Sequence, residues 1–169
     1  HIPTEETTVV QYFNSSGYGA SMPYFENGKL IWAGEDSTRA RCSSINYISL
    51  NETSIGELYP GVYVHDPETN GKYYAWLDGP HGPSAKLYVW EGSGAPVAAA
   101  EGVVEFGIAE NFVAYGKDEA VWIYVFENGK SYRLTPEREN TQFLGVSGGY
   151  VMWMDVTSRE RDIIKYALP

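Results

Sequence analysis

Oxygen donors recur at alternate positions in the stretch Asp66-Pro67-Glu68-Thr69-Asn70-Gly71. A calcium loop needs oxygen ligands at that spacing and glycine in sixth place, which makes Asp66, Glu68 and Asn70 candidate Ca²⁺ ligands. The third place holds Glu where Asp or Asn is usual. The twelfth, Leu77, has no carboxylate to offer. The competing reading is a turn between two strands, because Asp-Pro and Asn-Gly both favour turns. The turn is preferred, and no other cofactor is expected.

A second group centres on His81, in the loop Asp78-Gly79-Pro80-His81-Gly82-Pro83. Its nearest metal-binding partners in sequence are Asp78 and His65, too few for a zinc site. Loops of this kind carry ligand contacts, so His81 and Asp78 are candidate ligand-binding residues. Trp90 and Trp122 join them, since an exposed indole beside acids and amides suits a sugar. The acids Asp36, Asp78, Asp118 and Asp155 recur once per repeat after an aromatic residue. Their offset from it varies, so turn capping is expected rather than a ring of ligands. Hydrolytic, phosphate-binding and dinucleotide motifs are absent from the sequence. A glycosidase needs only two carboxylates, for which Glu35, Asp36 and Asp78 are available.

These residues need elements to hold them, and the chain builds such elements in copies. Trp32, Trp76, Tyr115 and Trp153 lie 44, 39 and 38 residues apart, each in a short apolar segment. A second segment follows each, marked by Tyr47, Tyr88, Tyr124 and Tyr166 at spacings of 41, 36 and 42. Segments of four to seven residues rich in Val, Ile, Tyr and Trp, bounded by Gly and Asn, read as strands. A preceding strand is expected at 22–25, 62–65, 103–108 and 142–146, and a following one at 55–59, 96–100 and 131–134. Asn27-Gly28, Asn70-Gly71 and Gly148-Gly149 lie where a hairpin turn is needed, and Glu110-Asn111 is a weaker version. Four antiparallel strands about every forty residues is the pattern of a propeller blade. The expected units are 20–60, 61–102, 103–140 and 141–169. The fourth lacks its last strand, and Thr7 to Phe13 is a spare strand-like run that would complete it and close the ring.

Composition agrees with an all-β domain. Aromatics make up 15% of the 169 residues, and there are 18 Gly and 9 Pro. That excludes a helical bundle and a disordered chain. The net charge of -10 argues against nucleic acid and anionic membranes as partners. Cys42 is the only cysteine and is expected to be a buried structural thiol. The start at His1 suits a removed leader or an excised domain, and sequons at Asn14 and Asn51 lean toward secretion.

The runs from Asn27 to Asp36, Ile45 to Ser54 and Gly148 to Leu168 resemble TolB-type β-propeller repeats. They are most similar to the tandem version common in archaeal and bacterial cell-surface proteins. The last copy matches best, through Trp153, Asp155, Arg159, Asp162 and Ile163, whereas the second and third lose the arginine turn. The resemblance implies an all-β propeller, here of four blades. Such families commonly have six or seven, so an open arc that pairs with another copy, or a piece of a longer chain, stands beside the closed ring. The function expected is an extracellular, non-catalytic binding or structural module for a protein or a carbohydrate, without membrane insertion. A carbohydrate-active enzyme and a surface subunit polymerising through the strand at 7–13 are the alternatives.

Overall fold

The computed structural model describes residues 23–35, 43–80, 84–158 and 163–169. The run at 7–13, Asn14, Asp36, Cys42, His81, Arg159 and Asp162 lie outside them. Every element among the described residues is a strand, and the strands form four antiparallel sheets in chain order. The first holds β1 (Tyr24–Glu26), β2 (Lys29–Glu35), β3 (Ser43–Ser49) and β4 (Gly56–Pro60). The second holds β5 (Val64–Thr69), β6 (Tyr74–Asp78), β7 (Lys86–Trp90) and β8 (Val97–Glu101). The third holds β9 (Glu105–Ile108), β10 (Phe112–Lys117), β11 (Ala120–Val125) and β12 (Lys130–Arg133). The fourth has only β13 (Thr141–Ser147), β14 (Tyr150–Asp155) and β15 (Ile163–Ala167).

The sheets pack face to face through one repeated rule. Tyr74 and Trp76 of β6 enter the face of the first sheet made by Ile31, Ala33 and Ile45. Tyr115 and Val113 of β10 enter the face made by Ala75, Leu77, Leu87 and Val89. Trp153 and Val151 of β14 enter the face made by Ala114, Val121 and Ile123. Each later sheet therefore supplies a large ring, and each earlier one an aliphatic bed. The rings bury well over 100 Å² apiece, enough to dominate each junction.

The Trp32, Trp76, Tyr115 and Trp153 marker thus keeps its strand position, and the three with a preceding described sheet keep the same face. The tyrosine marker does not. Trp76 pairs with Tyr88, but the equivalent partners of Trp32, Tyr115 and Trp153 are Asn46, Trp122 and Lys165. Tyr47 and Tyr166 are one residue out of that register, and a slip of one turns a side chain to the opposite face. Their similar spacing comes from strand enrichment in Tyr, not from a shared position.

The turns also differ in detail. Asn27-Gly28 and Gly148-Gly149 are two-residue turns with positive φ at both places, as a type I′ hairpin requires. Asn70-Gly71 is shifted by one residue. Asn70 N–H donates to Tyr73 O, leaving Gly71 and Lys72 at the centre with positive φ at Gly71 alone. Asp118-Glu119, between β10 and β11, makes a two-residue turn with positive φ at both places and no glycine.

Candidate functional site

The first hairpin turn of every sheet lies at the same end of the array, because the four sheets share one strand order. Together these turns wall a cavity of about 1020 Å³. The first sheet contributes Tyr24, Glu26 and Asn27, and the second Thr69, Asn70, Lys72 and Tyr73. From the third come Ile108 to Asn111 and Val125 to Glu127, and from the fourth Val146 to Gly149. The size suits a small ligand or one segment of a chain. Its walls are apolar at Ile108, Val125 and Val146. Glu26, Glu110, Asn111 and Glu127 are exposed at the mouth.

Asparagine side chains hold this rim together. Asn27 Nδ2 donates to Asn70 O at 2.8 Å, joining the first two turns. Asn70 Nδ2 donates onward to Ala109 O at 2.7 Å and Glu110 O at 3.2 Å, joining the second and third. Asn70 Oδ1 meanwhile accepts from Lys72 and Tyr73 N–H. Such a bond is worth about 1 kcal/mol net. Gly71 lies against this link, for a Cβ there would stand 2.7 Å from Asn27 Cβ.

Beneath the rim sits Glu68. A bulge in β5 places Asp66 and Pro67 opposite Trp76 and resets the alternation, so that Glu68 pairs with Ala75. Asp66 takes φ 50, a left-handed conformation that costs an L residue about 1 kcal/mol. On the reset face Glu68 Oε2 accepts from Ile108 N–H of β9 at 2.8 Å. Burial pushes the Glu68 carboxyl up to about 7 and Asp66 adds to the rise, while the Ile108 bond opposes it. Glu68, Asp66, Glu105 and Tyr24 line a smaller cavity of about 360 Å³. A carboxyl poised near neutrality can take up or release a proton at physiological pH. Nothing in the sequence singled Glu68 out for this role, because the bulge that turns it inward is encoded only by Asp66-Pro67.

The structure does not gather Asp66 Oδ2 lies 2.8 Å from His65 Nδ1, Glu68 bonds to β9, and both amide atoms of Asn70 hold the rim. The stretch 64–69 is strand, not loop. No group of three or more His, Cys, Asp or Glu able to hold a metal occurs among the described residues.

Of the ligand-binding candidates, none that is described lines the larger cavity. Asp78 ends β6 at the far end, accepting from Tyr63 N–H at 2.9 Å and Tyr59 O–H at 3.1 Å. Trp90 is half-buried against Tyr47 and Tyr74, and its indole N–H donates to Gly94 O. Trp122 packs half-buried against the core between the second and third sheets. Asp155 caps Thr157 N–H and binds Lys165 Nζ at 2.7 Å. Asp118 stands exposed in its turn. Asn51 is exposed after β3.

Comparison with protein-family models and with curated proteins finds no match. Solved structures do match. A prolyl endopeptidase aligns with a TM-score of 0.62 at 11% identity, over 87% of this chain and 26% of that one. Putative TolB from Agrobacterium tumefaciens aligns at 0.57 and 13% identity, over 87% and 57%. TolB from Acinetobacter baumannii aligns at 0.53 and 12% identity, over 89% and 43%. The chain therefore spans between a quarter and somewhat over half the length of these proteins. At such identities the likeness is one of fold: the four sheets have a TolB-like β-propeller architecture.

Proposed function

We propose that this chain is an extracellular or cell-surface propeller module that binds a protein or carbohydrate without transforming it, and that the turn-walled cavity is its binding face. The observation that carries this reading is convergence. Four equivalent turns meet at one cavity, and two of them are tied by Asn27 and Asn70 into a preorganised rim. A rigid rim lowers the ordering cost of binding. In the same proposal the four sheets are four blades, with Thr7 to Phe13 pairing on the free edge of β15 as the outer strand of the fourth.

The test is binding by the purified chain to immobilised glycans and to peptide libraries, repeated with Asn111→Ala and Val146→Trp, which alter and fill the cavity. Binding lost in both variants supports the reading; binding indifferent to both overturns it. One observation favours a second reading, a carbohydrate-active enzyme: Glu68 near neutrality beside Asp66 offers an acid and a base. Hydrolysis of a chromogenic glycoside by the wild-type chain and not by Glu68→Gln would establish it in place of the first.

A further inference from the structure

The cavity mouth carries charge without counterions. Among the described residues, no ion pair is made by Glu26, Glu110 or Glu127. The one lysine in the lining, Lys72, is spent on Glu91 at 3.2 Å and the Tyr73 hydroxyl at 3.0 Å. Tyr73 in turn stacks on Phe126 at 4.0 Å, so its ring is engaged rather than presented to a sugar. Beside the mouth lies an apolar ledge on the fourth sheet: Tyr150, Tyr166 and Leu168 are 44%, 71% and 65% exposed. The two tyrosine rings meet edge to face at 5.7 Å. Leu168 reaches over Gly149, a cavity-lining residue, which makes ledge and mouth continuous.

Resting on the binding reading above, we infer that mouth and ledge form one docking surface for an extended cationic polypeptide segment. A lysine or arginine enters between the rim carboxylates, and a neighbouring aliphatic or aromatic side chain sits on Tyr166 and Leu168. Charge complementarity chooses the partner: a neutral oligosaccharide leaves the three carboxylates unanswered, and an acidic peptide is repelled. The ledge supplies the apolar anchor that gives such interfaces most of their affinity.

The test uses three fluorescein-labelled peptides and the full chain. They are Gly-Lys-Leu-Lys-Phe-Lys-Gly, its twin with Glu in place of Lys, and a twin with Ser in place of Leu and Phe. Anisotropy titration is expected to favour the first over the acidic twin by at least roughly tenfold, with the margin shrinking as salt is added. Glu110→Gln with Glu127→Gln weakens it roughly twofold to tenfold. Tyr166→Ser weakens it about fivefold and brings it level with the serine twin. All three substitutions are at exposed positions, and an unchanged melting temperature confirms folding. Equal affinity for basic and acidic peptides, or indifference to the glutamine pair, overturns the inference. Oligosaccharide binding without peptide binding overturns it while leaving the binding reading intact. Binding of neither removes both.

Discussion

The second and fourth sheets are built on the same strand order, yet they live in different surroundings. The second is covered on both faces: Tyr74 and Trp76 pack toward the first sheet, Ala75, Leu77, Leu87 and Val89 toward the third. The fourth buries Val151, Trp153 and Phe143 against the third sheet, but Ile164 and Tyr166 on its other face are each 71% exposed. A repeat of this kind cannot bury itself, so its neighbours decide which residues are core. The same apolar strand pattern is a core in one place and a surface in the other.

Substitutions make the contrast quantitative. Trp76→Ala removes a fully buried ring and is expected to cost about 4 kcal/mol in urea unfolding. Tyr166→Ala should cost under about 0.5 kcal/mol, as exposed positions do. Equal losses would show that the open face of the fourth sheet is covered in solution. The turns extend the comparison. Gly71→Ala places a Cβ at φ 91 against Asn27, and about 2 kcal/mol or more should be lost. At Gly148, φ 56 with open space around it, the same change should cost about 1 kcal/mol.

Acid acts on the two sheets with opposite sign. Glu68 in the second is raised from its ordinary value to about 7, so the folded chain binds its proton more tightly than the unfolded chain. Its contribution is therefore most favourable below about pH 4.5 and is lost as pH climbs to about 7, a change on the order of 1–2 kcal/mol. Glu68→Gln should flatten stability across that window in denaturation curves. Asp155 in the fourth is lowered to about 2 by its bonds to Lys165 and Thr157. The stability it gives is present above about pH 4 and lost as pH falls toward 2. Amide exchange at Ile108 should therefore slow between pH 7 and 5 after correction for its intrinsic rate, whereas the β14–β15 amides should loosen only below pH 4. The smallest effect belongs to Asn27→Ala, about 1 kcal/mol for one inter-sheet bond, measured by the same unfolding curves.

Much of this architecture was legible in the residues. Trp32, Trp76, Tyr115 and Trp153 marked equivalent positions because a buried ring can be placed in only one way between sheets. Turns at 27–28 and 148–149 followed from glycine's tolerance of positive φ. The turn at 118–119 did not, because nothing local in Asp-Glu demands a left-handed pair; tight pairing of β10 with β11 imposes it. Parity misled twice, through the tyrosines and through Asp66, Glu68 and Asn70. A bulge or a one-residue slip inverts a face and leaves no trace in composition. The cavity was invisible for a different reason. Each turn could be read alone, but their meeting depends on how sheets stack, which is written across all three junctions.

The asparagine link bears also on how the molecule ages. In an Asn-Gly pair the glycine nitrogen can attack the side-chain amide, expel ammonia and leave aspartate or its isomer. At Asn70 both partners in that attack are restrained: Gly71 N–H is held by Thr69 Oγ1 at 3.0 Å, and the amide is held by four bonds. Asn128-Gly129 sits exposed on its turn, with its amide nitrogen bonded to the Tyr132 hydroxyl. Old preparations should carry their first acidic variants at 128 and keep 70 intact. Were Asn70 to convert, an oxygen would replace the donor facing Ala109 and Glu110 carbonyls, and chemical wear would part the second turn from the third.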